Sequence, residues 1–188
     1  MVDLQKVYDS CIHFYDGCYD IVDRMSAGIK EIMESEGVSY NPEVTLIKFD
    51  ILLQYSLLQI ASADYEIDRN ELIFIRDLTK KGDLVNYLNT LSDSQISWDD
   101  IYQGDILDLR EILDSIKDKI KKLSEEFVMV FATCDLATEH NYLADLTRNI
   151  NCIIVGLAAM DGEITSTEIN SDCLILKALD EIKKIKCQ

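Results

Sequence analysis

Two short segments of this 188-residue chain carry carboxylates in the same pattern. ASADYEIDRNEL, Ala61 to Leu72, returns 97 residues later as AAMDGEITSTEI, Ala158 to Ile169, with five of twelve positions identical. Asp64 and Glu66 of the first copy match Asp161 and Glu163 of the second, and Glu71 matches Glu168. Carboxylate oxygens are hard ligands. A fold that brings the two copies together would place Asp64, Glu66, Asp161 and Glu163 in one region, and a divalent ion such as Ca²⁺, Mg²⁺ or Mn²⁺ would relieve their repulsion. The plainer use of such acids is to favour the positive end of a helix.

The ends of the motif state their own structure. Asp68 and Thr165 have N-cap side chains, and Glu71 and Glu168 stand three positions on, where they complete a capping box. Ile67 and Ile164 precede the caps and can staple onto Leu72 and Ile169. Each copy is therefore a helix–turn–helix corner, in which capping accounts for Glu71 and Glu168 but not for the other four acids. DGEITSTE also matches the second half of an EF-hand loop, but the first and third ligand positions would be Leu157 and Ala159, which lack side-chain oxygen. An EF-hand is excluded.

The elements that must position these corners are helices. Leu4, Val7, Cys11, Phe14, Cys18, Ile21 and Met25 step by three and four, the seam of a helix over about 4–32. Asn41-Pro42 opens a second helix, to about 63, that is apolar nearly all round and belongs at the centre of the fold. Helices follow over about 69–80 and 83–91, then a loop with one helical turn near Ser97-Trp98. A continuous seam from Ile106 through Leu109, Leu113, Ile116, Ile120, Leu123, Phe127, Val130 and Cys134 predicts one long helix to about 136. Helices over 141–160 and 166–184 complete an all-α bundle of seven to eight helices. The two longest stripes, each about 45 Å at the helical rise, are expected to pair with each other as an antiparallel coiled-coil-like unit.

Composition narrows the function. The formal net charge is −17, which opposes binding to nucleic acid, and 48% hydrophobic residues exclude a disordered acidic tail. Between Ser92 and Ser115 stand Asp93, Asp99, Asp100, Asp105, Asp108, Glu111 and Asp114 against Arg110 alone. That stretch reads as a solvated face, or as a surface that meets a basic partner. The six cysteines form no C-x-x-C pair and most sit at apolar helical positions, as small hydrophobes in a reduced, cytoplasmic protein. No signal peptide is visible, and the longest uncharged apolar stretches fall short of the ~20 residues of a membrane span. His13 and His140 lie in no metal or catalytic motif, and no phosphate-binding or dinucleotide-binding glycine motif occurs, so no enzyme is indicated.

The paired A-x-x-D-G-x-[IV]-x-x-x-E corners, each after an apolar helix, resemble the TerB-like (tellurite resistance B) family. The resemblance covers about 43–188 of a single domain and leaves the first helix, 1–37, as an addition. It implies an all-helical domain in a tellurite-resistance or stress-response context, and divalent-cation binding through Asp64, Glu66, Glu71, Asp161, Glu163 and Glu168. The chain departs from the pattern at Tyr65, where the second copy has Gly162; a left-handed turn there costs a non-glycine residue about 1 kcal/mol. The alternative is an acidic protein-interaction module that docks a basic partner without metal.

Overall fold

The computed structural model describes residues 3–63, 67–91, 95–104, 106–138, 142–160 and 173–186. The described residues form eight helices: α1 (Leu4–Ser35), α2 (Pro42–Ala61), α3 (Arg69–Leu78), α4 (Leu84–Leu91), α5 (Trp98–Gln103), α6 (Ile106–Thr138), α7 (Tyr142–Leu157) and α8 (Leu174–Lys186). No strand occurs among them. The long seam is one continuous helix, with Ser124 buried within it.

Helix α2 is the axis of the bundle. Asn41 caps it through the Glu43 amide, Pro42 starts it, and every residue from Phe49 to Leu58 is buried. Its length and composition would suit a membrane crossing, but 78% of the qualifying window is enclosed by the other helices. A column of aromatic rings ties three helices together: Tyr15 of α1 stacks on Phe49 of α2, Phe49 on Phe127 of α6, and Phe127 meets Phe131. Such ring pairs add to the stabilisation from burial alone.

The expected pairing of α1 with α6 is not what the fold adopts. Helix α1 packs chiefly along α7, antiparallel, with Cys11 against Gly156 and Gly17 against Asn149. It meets α6 over a smaller contact, where the Cys134 thiol donates to the Met25 carbonyl at 3.7 Å. The α7 stripe Leu143, Leu146, Ile150, Ile153 and Leu157 is wholly buried. At Gly156 a β-carbon would stand 2.1 Å from the Cys11 sulfur, so the missing side chain is what lets α1 approach this closely. Helices α2 and α3 cover more of the α1 stripe, while α6 lays its own seam on α2 and α8.

Polar side chains inside α2 fix the turn after α3. Oδ2 of Asp50 accepts from the amides of Lys80 (3.3 Å), Lys81 (2.8 Å) and Gly82 (2.9 Å), while Oδ1 accepts from the Tyr15 hydroxyl (2.8 Å). One turn on, Gln54 donates to Thr79 Oγ1 (2.8 Å) and accepts from the Leu84 amide (2.7 Å). Burial pushes the Asp50 carboxyl above its ordinary range, against the opposing pull of these hydrogen bonds. Residues 79–84 are thereby held in place, and α4 starts where Gln54 and Asp83 put it.

Candidate functional site

Of the six acids singled out in the two corners, Glu71 alone falls within the described residues. Asp64, Glu66, Asp161, Glu163 and Glu168 lie outside them, as do Tyr65, Gly162 and Thr165. Glu71 does what the capping reading requires. Its Oε2 accepts from the Asp68 amide at 2.9 Å, Asp68 accepts from the Asn70 amide, and the box is complete in both directions. At 2% exposure Glu71 is enclosed at the start of α3. Among the described residues, no group of three or more His, Cys, Asp or Glu could hold a metal ion.

The entry halves of the two corners are alike in geometry. The Ala63 amide donates to Ile60 at 3.0 Å, and the Met160 amide, at the matching position, donates to Leu157 at 2.9 Å. Ala61 and Ala158 are both buried. The Arg110 guanidinium donates to the Ser62 carbonyl at 2.8 Å, at the negative end of α2. Asn70, just past the first cap, and Met160, just before Asp161, line one cavity of about 200 Å³ together with Leu4, Tyr8, Ile73 and Phe74. The fold thus brings the flanks of the two corners to a common place.

Hydrogen bonds brace the described residues of the acidic stretch between α4 and α6. The Asn89 side chain clamps the Ile96 backbone from both sides, donating to its carbonyl at 2.7 Å and accepting from its amide at 2.8 Å. Trp98 donates from Nε1 to Asp83 at 3.1 Å, which ties α5 to the start of α4. A second capping box, Ser97 with Asp100, opens α5. The Ser97 hydroxyl and amide both donate to Asp100 and hold its carboxyl below the ordinary range. Helix α5 has six residues, against the single turn that the sequence predicts.

Asp99, Asp100, Asp108, Glu111 and Asp114 are all exposed. On α6, Asp108, Glu111 and Asp114 follow at intervals of three and so share one face. Asp93 and Asp105 lie outside the described residues. Beneath the carboxylates, Ile96, Ile101, Leu109 and Ile112 line an apolar cavity of about 140 Å³, with Asp100 and Asp108 in its wall. The sequence reading missed this cavity. The available signal was four large aliphatics spread through the most acidic stretch of the chain.

Compared with protein-family models, with curated proteins and with solved structures, the chain gives no match in any of the three.

Proposed function

We propose that the protein is a non-enzymatic helical interaction module whose α5–α6 face docks a basic segment of a protein partner. The observation that carries the reading is the exposure of all five described acids of that stretch on two adjoining helices. Exposed carboxylates on one face make a negative patch, and a cationic segment complements it. The test is binding of a fluorescent lysine-rich peptide as salt is raised. Neutralising Asp108, Glu111 and Asp114 should weaken it several-fold and flatten the salt dependence. Neutralising Asp20, Asp23 and Glu31 on α1, also exposed, removes as much net charge and should have much less effect. Equal effects from the two sets would mean that bulk charge, not a face, attracts the peptide.

A second reading keeps the TerB-like resemblance and divalent-cation binding at the corners, through Asp64, Glu66, Asp161 and Glu163. It is supported by the cavity that Asn70 and Met160 share. Glu71, and Glu168 by analogy, serve the caps in this reading. Thermal melts in high salt with Ca²⁺, Mg²⁺ and Mn²⁺ test it: a site stabilises by about 1.4 kcal/mol at tenfold excess over Kd, and Asp64→Asn with Asp161→Asn removes that shift. No shift with any of the three ions would end this reading.

A further inference from the structure

We infer that the apolar cavity between α5 and α6 seats one aliphatic side chain of the docked basic segment, so that the partner is recognised as an amphipathic basic sequence and not by charge alone. This rests on the docking reading above. The cavity is floored by Ile96, Ile101, Leu109 and Ile112 and measures about 140 Å³. Small-molecule sites usually measure about 300–1,000 Å³, so this one suits a single side chain. Its wall carries Asp100 and Asp108, with the exposed Asp99 and Glu111 nearby on the same two helices. Among the described residues, no basic one lines it.

Charge complementarity selects the occupant. The same face of a second copy would bring like carboxylates against each other, and an anionic lipid surface or a nucleic acid would be repelled. A segment with a leucine or isoleucine between lysines or arginines satisfies both parts: the aliphatic group covers the cavity floor and the cations meet Asp100 and Asp108. Asn89, Asp83 and the Ser97–Asp100 box already brace the described backbone around it. Less conformational entropy is then lost on binding.

The test compares two synthetic peptides of equal charge, one of leucine and lysine at helical spacing and one with serine in place of leucine, by fluorescence anisotropy at physiological salt. The leucine peptide should bind about tenfold tighter, or about 1.4 kcal/mol. That preference should shrink in Ile112→Ala, while the serine peptide is unaffected by the substitution. The comparison varies the probe, so it stands even if Ile112→Ala is destabilised. Equal binding of the two peptides, lost on neutralising the α6 acids, would overturn the cavity's role and leave the docking reading intact. Binding of neither peptide would overturn both. Concentration-dependent self-association on a sizing column that Ile112→Ala abolishes would overturn the choice of partner.

Discussion

The carboxylate of Asp50 accepts the Gly82 amide at 2.9 Å across 32 residues of chain. With the amides of Lys80 and Lys81 and the hydroxyl of Tyr15, four donors converge on one buried acid. Asparagine can turn its one carbonyl oxygen to the three amides, but it brings no charge to them and meets the Tyr15 hydroxyl with NH₂, so the hydroxyl proton loses its acceptor. Asp50→Asn should therefore cost on the order of 3 kcal/mol, measured by urea unfolding at neutral pH. A loss below about 0.5 kcal/mol, the range of ordinary surface substitutions, would show that this centre does not hold the turn.

The same group gives a pH signature. Its folded-state pKa lies above the value of about 3.9 for an unfolded aspartate. Between those two values the folded state binds the proton more readily, so this contribution to stability rises as pH falls and declines as pH rises through the folded pKa. Asp50→Asn lacks it. The stability gap between the wild type and Asp50→Asn should accordingly widen on mild acidification, in paired urea melts at a series of pH values. A gap that narrows would reverse the sign argued here.

Gly156 tests the α1–α7 contact. Alanine is the better helix former by about 1 kcal/mol, but its β-carbon would stand 2.1 Å from the Cys11 sulfur. Gly156→Ala should destabilise by about 1–3 kcal/mol from overpacking, and Cys11→Ala should recover much of that in the double variant. Thermal melts of the four proteins form the cycle. Additive losses would mean that the two residues do not oppose each other.

Asp68→Ala removes the acceptor for the Asn70 amide and should cost about 0.5–2 kcal/mol. Glu71→Ala leaves the Asp68 amide without the 2.9 Å bond it makes, and should cost a similar amount. The two losses should be less than additive, because they break one capping box. Chemical denaturation of both single variants and the double variant checks this.

Where residue types act locally, the sequence was enough to read the fold. The Asn41-Pro42 start of α2, the Asp68–Glu71 box and the uninterrupted α6 seam all depend on neighbours within a turn. The partner of a stripe is a different matter. Spacing shows that α1 has a buried face but not what covers it, and the close approach to α7 depends on glycines at 17 and 156, far apart in the chain. Asp50 and Gln54 escaped notice because a helix apolar on every side hides two polar residues one turn apart. Their partners, at 75 and between 79 and 84, are brought to them only by the folded bundle. The α5–α6 cavity was missed for the same reason, since Ile96 and Ile112 meet only once α5 has docked.

The docking claim is tested most directly by amide chemical-shift mapping of the isotope-labelled protein during titration with the leucine–lysine peptide at physiological salt. Perturbations should concentrate on Ile96–Ile112, saturate together and fade in the protein neutralised at Asp108, Glu111 and Asp114. Shifts spread evenly over exposed acids on α1 and α6, or centred on the two corners with the α5–α6 face unmoved, would contradict a docking surface there.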